Sequence, residues 1–133
     1  MHRFNLIDAK ILLGLAFTER GSADSCTELL ACCAKIDGKI LKLDELAEAF
    51  NKFLYTSVIA IEGESVALTQ FGWELINQLR GKLGEYAPVK QLHESLYKEL
   101  SSYKLKSMCN RTVWTPAQYQ QATADLQIIK NVI

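Results

Sequence analysis

The sequence predicts a mainly α-helical fold with one small β-hairpin, and three observations carry that expectation. Over residues 43–55, apolar side chains recur at Leu43, Leu46, Ala47, Phe50 and Leu54, the spacing of one buried helix face. Directly afterwards, Ser57-Val58-Ile59-Ala60-Ile61 is rich in β-branched residues, which suit a strand. Ser25, Thr69 and Thr115 each stand where a helix cap belongs, just ahead of a periodic run.

Taken in order, the first helix is expected from Leu6 to Thr18. Ile7, Ile11, Leu12, Leu15 and Ala16 fall at helical spacing, and Gly14 is the weak point. Glu19-Arg20-Gly21-Ser22 breaks it. Ser25-Cys26-Thr27-Glu28 then fits a capping box, in which a hydroxyl and a carboxylate each satisfy an orphan amide. Leu29, Leu30, Cys33 and Ile36 stripe the second helix, and Gly38 ends it. Lys39-Ile40-Leu41-Lys42 leads into the third helix, whose Asp44, Glu45, Glu48, Asn51 and Lys52 are expected to point outward.

Glu62-Gly63-Glu64-Ser65 turns the chain, and Val66-Ala67-Leu68 returns to complete the hairpin. Thr69 caps a fourth helix running to about Arg80 and carrying Phe71, Trp73, Leu75, Ile76 and Leu79; Gly81, Gly84 and Pro88 read as a linker. Val89, Leu92, Leu96, Leu100 and Tyr103 define a fifth, amphipathic helix, and Cys109-Asn110-Arg111-Thr112-Val113 a loop. Thr115 and Pro116 open a sixth helix with Gln118 closing its box, and Ala122, Leu126 and Ile129 continue it.

At 133 residues and 49% apolar content, one domain can bury a core without disulfide or metal staples. No apolar run is long enough to span a membrane, and Asp8 and Lys10 interrupt the first residues too early for a signal peptide. Cys26, Cys32, Cys33 and Cys109 form no CxxC pair and stand far from His2 and His93, so neither a disulfide framework nor a metal site is expected. Reduced thiols in a cytoplasmic protein fit this pattern. Charge is divided: residues 1–80 hold eight basic and eleven acidic residues, residues 81–133 seven and four. A nucleic-acid binder usually presents a basic face, and here only the second half is net basic.

The order helix, helix, turn, helix, hairpin, helix over residues 6–80 resembles the winged helix-turn-helix family. Residues 25–37 and 43–55 would be its helix-turn-helix pair. The run Ala47–Ile59 looks like the junction from second helix to wing. Leu68-Thr69-Gln70-Phe71-Gly72-Trp73-Glu74-Leu75 is similar to the LTxxGxxL signature that follows the wing in many bacterial regulators. The resemblance implies a winged-helix domain over residues 1–80, with residues 81–133 a helical extension within one structural unit. It also implies a transcription regulator whose third helix enters the DNA major groove.

Two readings of the ligand stand side by side. For double-stranded DNA, Lys35, Lys39 and Lys42 cluster at the turn, Asn51 suits adenine, and Lys52 is expected on the outward, DNA-contacting face of the third helix. Against it, Asp44, Glu45 and Glu48 outnumber the lysines on the third helix, and the hairpin tip carries Glu62 and Glu64. Since phosphate contacts supply most DNA affinity, those five carboxylates support an alternative to the leading DNA-binding reading, a module that faces a basic protein partner.

The stripe Val89, Leu92, Leu96, Leu100 and Tyr103 either folds back on the core or pairs with its copy in a homodimer. His93 reads as a surface histidine, and Trp73 and Trp114 as structural aromatics. No nucleophile with a base, phosphate-binding glycine loop or metal cluster is apparent, so neither enzymatic activity nor a cofactor is expected.

Overall fold

The computed structural model describes the backbone of residues 2–132 and the side chains of residues 2–127. Ile129, assigned above to the sixth helix face, lies outside the described side chains. The protein is mainly helical with small antiparallel sheets. Among the described residues the helices are α1 (Leu6–Ala16), α2 (Cys26–Asp37), α3 (Leu43–Tyr55), α4 (Gln70–Leu83), α5 (Val89–Ser101) and α6 (Pro116–Val132). The strands are β1 (His2–Arg3), β2 (Ser22–Ala23), β3 (Ile59–Glu62), β4 (Ser65–Leu68) and β5 (Lys104–Leu105). No helix among them is long and apolar enough to cross a membrane.

Helix α1 is the axis of the fold. It starts at a reciprocal cap: Asp8 N–H donates to Asn5 Oδ1 and Asn5 N–H to Asp8 Oδ2, both at 2.8 Å. Every residue from Asp8 to Ala16 is buried, because α2, α3, α4 and α5 all pack against it. The apolar spacing of Ile7, Ile11, Leu12, Leu15 and Ala16 is thus part of a helix buried on all sides from Asp8 to Ala16. Gly14 lets α1 approach α2 closely, where a side-chain carbon would overlap Cys33 Sγ.

The expected hairpin is present, with Ile59 opposite Leu68 and Glu62 opposite Ser65. It is the larger part of a three-stranded sheet, ordered β2-β4-β3, in which Ser22 pairs with Ala67 and Ala23 with Val66. Thr69 ties this sheet to α4. Its hydroxyl accepts from Gly72 N–H (3.1 Å) and donates to Ser57 O (2.6 Å), at the exit from α3. Gly72 packs so closely on the Val58 carbonyl that a methyl group would collide with backbone. Helix α4 runs through Gly81 to Leu83, beyond the predicted stop near Arg80.

Side chains from α5 to Ala122 of α6 belong to the same core. Leu92, Leu96 and Leu100 are buried, and α5 packs on α1 and α4. Strand β5 pairs with β1, joining His2 to Leu105 and Arg3 to Lys104. Phe4 follows β1 and stacks on Phe53 of α3, with ring centres 4.9 Å apart.

One ion pair crosses this core. Lys52 Nζ lies 2.8 Å from Asp8 Oδ2, with both side chains 2% exposed, and 3.2 Å from Glu48 Oε1. Desolvation holds the Asp8 carboxyl above its ordinary value, outweighing the opposing hydrogen bonds from Lys52 and Asn5. Breaking a buried pair leaves one charge uncompensated, at a cost of about 3–5 kcal/mol. Urea denaturation should therefore find Lys52→Met strongly destabilising and Asp8→Asn less so, because Glu48 still pairs with Lys52 at 3.2 Å. The double variant should lose less than the sum, with a coupling of at least about 1 kcal/mol. A raised carboxyl stabilises the fold fully below its unfolded value of 3.8, and that contribution is lost as pH rises through the folded value. Lys52→Met raises the carboxyl further, so this variant should recover stability relative to wild type as pH falls from neutral. Additive losses with no pH dependence would mean that the pair is not coupled.

Candidate interaction surface

Helix α3 opens with Lys42 N–H donating to Glu45 Oε1 (2.8 Å) and buries Leu46, Ala49, Phe50 and Phe53. Two residues assigned above to its DNA-contacting face point elsewhere. Lys52 is taken inward by Asp8, because α1 runs along that side of α3. Asn51 is 7% exposed and wholly engaged. Its Nδ2 donates to Ala47 O (2.9 Å) and Arg111 O (3.2 Å), while its Oδ1 accepts from Arg111 N–H (2.8 Å). The Asn51 backbone carbonyl also accepts from Cys109 N–H at 3.1 Å. Neither side chain is available as the expected DNA contact.

These bonds fasten the loop after β5 along α3. Further on, Trp114 is buried edge-on against Phe50, with centroids 5.4 Å apart, and its indole N–H donates to Glu64 O at the hairpin tip (3.1 Å). Gln118 Nε2 donates to Glu64 Oε1 (2.6 Å), and the Tyr119 hydroxyl to Leu41 O. Residues 109–119 thus link α3, the turn before it and the hairpin tip. An apolar groove of about 280 Å³ remains between α3 and this segment, lined by Leu43, Leu46, Ala47, Phe50, Val113 and Trp114.

The acidic set is exposed but partly engaged. Asp44, Glu48, Glu62 and Glu64 face solvent and Glu45 is half-buried. Glu48 reaches Lys52, Glu45 closes the α3 cap, and Glu64 holds Gln118. Lys35, Lys39 and Lys42 are exposed around the α2–α3 turn, and among the described residues none has an ion-pair partner. The turn itself is pinned from below by Lys10, whose Nζ lies 2.6 Å from Asp37 Oδ1 and donates to Lys39 O (3.0 Å). Partial burial would raise the Asp37 carboxyl, but hydrogen bonds from Lys10 and the Lys39 N–H prevail and hold it below its ordinary value.

Of the stripe assigned to a homodimer, Leu92, Leu96 and Leu100 are consumed by their own core, which corrects their use as dimer contacts. Val89 and Tyr103 stay exposed, and Tyr103 lies beyond the end of α5. His93 Nε2 sits 2.8 Å from Leu6 O as a tie between α5 and α1. Trp73 packs over Gly21. Burial pushes the Cys26 thiol up to about 11 and Cys33 up to about 12, so neither supplies a thiolate nucleophile at neutral pH. Among the described residues no group of three or more His, Cys, Asp or Glu is placed to hold a metal ion.

Sequence reasoning missed a second concavity, of about 390 Å³, between the start of α1 and the α2–α3 turn. Leu6 and Ile40, 46% and 45% exposed, stand on it beside Lys39 and Lys42. The available signal was Ile40, an apolar residue in a lysine-rich turn with no periodic partner. Comparison with protein-family models, curated proteins and solved structures found no match for the chain.

Asn51→Ala should cost about 1–3 kcal/mol, the loss expected when buried backbone groups lose their partners. Hydrogen exchange should show faster exchange at the Arg111 amide, and at Cys109 beside it. Unchanged protection there would mean that Asn51 does not hold the segment.

Proposed function

We propose that the chain is a winged-helix domain that binds a protein partner and does not read duplex DNA through α3. Two features support the winged-helix part of this reading. The order α1, β2, α2, α3, β3, β4 has the hairpin directly after a helix pair, and the short strand β2 lies on its returning arm. Thr69 and Gly72 also do what the post-wing motif requires, one capping α4 and the other letting it approach the sheet.

The observation that carries the choice of ligand is the segment 109–114 lying along α3. An α-helix with its side chains is about 10–12 Å across and fills a major groove about 12 Å wide. Residues 109–114, fastened to α3 through Asn51 and Phe50, widen that helix beyond its own diameter, which supports a ligand other than duplex DNA. Charge supports the same reading. Asp44 and Glu48 face outward on α3, while Lys52 neutralises Asp8 inside the core. Phosphate anchoring has little to work with there. Four free cysteines, two of them buried, are consistent with a reducing, cytoplasmic setting.

The rival reading, a DNA-binding regulator, rests on the exposed Lys35, Lys39 and Lys42. A gel-shift titration with generic duplex at low and moderate salt separates the two. The protein-binding reading expects no retarded band even at low salt. Retardation that weakens steeply with salt, and that disappears in a Lys35→Glu/Lys39→Glu/Lys42→Glu variant, would overturn it in favour of DNA.

A further inference from the structure

We infer that the concavity between the start of α1 and the α2–α3 turn docks an acidic peptide segment that carries an aliphatic side chain among its carboxylates. This inference rests on the protein-binding reading and names, in place of the basic partner expected from the carboxylates of α3 and the hairpin tip, an acidic one at the lysine end.

The lining has two components. Leu6 and Ile40 are large apolar side chains left nearly half exposed at a concave site, where an aliphatic group can be buried between them. Lys39 and Lys42 supply charge. Of the two carboxylates in the same lining, Asp37 is paired with Lys10 at 2.6 Å, while Glu45 accepts the Lys42 N–H at 2.8 Å and keeps its charge, so three lysines stand against two carboxylates. The ammonium groups of Lys39 and Lys42 have no carboxylate within ion-pairing reach among the described residues. The unbalanced charge offered to a ligand is positive.

The walls are also fixed in advance. The Leu6 carbonyl is held by His93 of α5, the Lys39 carbonyl by Lys10 of α1 and the Leu41 carbonyl by Tyr119 of α6. A peptide entering here meets a site already ordered, which lowers the entropic cost of binding. Phosphates of a nucleic acid would satisfy the lysines but leave Leu6 and Ile40 exposed. An acidic peptide with a leucine-like side chain uses both halves of the lining.

Fluorescence polarisation at low salt tests this with three labelled peptides of equal length, built from Glu and Leu, Glu and Ser, or Lys and Leu, and with labelled generic duplex. The Glu/Leu peptide should bind, and the other two at least about tenfold more weakly. Lys39→Glu/Lys42→Glu should weaken the Glu/Leu peptide at least about tenfold, and Ile40→Ser should weaken it while leaving charge unchanged. Both lysines are exposed, so the variants should melt like the wild type. Amide shifts in an ¹⁵N spectrum should gather at residues 6–10, 38–42 and 93.

Equal binding of Glu/Ser, indifference to the lysine reversal, or shifts centred on 43–50 and 112–114 would each overturn the site. If no peptide binds and duplex does not bind either, this site is wrong while the protein-binding reading stands. Duplex binding that vanishes with the lysine reversal overturns both.

Discussion

A helix buried on all sides must satisfy every polar group it carries, and α1 carries Asp8 and Lys10. Asp8 closes the helix cap with Asn5 and then needs a cation, which α3 supplies from its own flank as Lys52. Lys10 finds Asp37 and the Lys39 carbonyl at the opposite side. Two polar anchors thus orient the neighbouring helices about α1, one fixing α3 and the other fixing the turn that leads into it. Apolar packing alone would tolerate rotation of α3 about its axis; a buried ammonium that must meet a buried carboxylate does not. Among the described residues, no buried side-chain nitrogen or oxygen lacks a partner.

That arrangement decides what the surface can offer. Once Lys52 is turned to α1, the outward flank of α3 keeps its carboxylates and loses a positive charge. Asn51, beside it, becomes the fastening point for residues 109–111. The hairpin tip is drawn into the same cover through Trp114 and Gln118. Electrostatics and coverage therefore agree on the face of α3. The exposed lysines are left at one end of the helix pair, beside a hollow on which Leu6 and Ile40 stand.

Much of the fold was legible from local signals. Ser25, Thr69 and Thr115 mark their helix starts because capping is a short-range hydrogen-bond problem written into adjacent residues. The change of period at Ser57 located the hairpin for the same reason. What escaped was long-range. Strands β1, β2 and β5 have two residues each, too few to show alternation, and exist only because distant partners lie alongside them. Lys52 and Asn51 illustrate the limit most plainly at the candidate site. A helical wheel separates polar from apolar residues, so it sent both outward. It could not know that α1 would bring a carboxylate to one, and a loop sixty residues away a peptide group to the other. Gly14, read as a weakness, was a contact surface whose partner Cys33 lies on another helix.

The pairing of β1 with β5, and of α1 with α5, has a consequence for how the chain is made. Translation proceeds at roughly 5–20 residues per second. The apolar flank of α1 that ends up beneath Leu92, Leu96 and Leu100 is synthesised several seconds before its cover. During that interval the flank of α1 that packs on α5 has no cover from its own chain. Transiently uncovered apolar surface of this kind is what makes incomplete chains prone to aggregate, and here it lasts until α5 is available to close over α1.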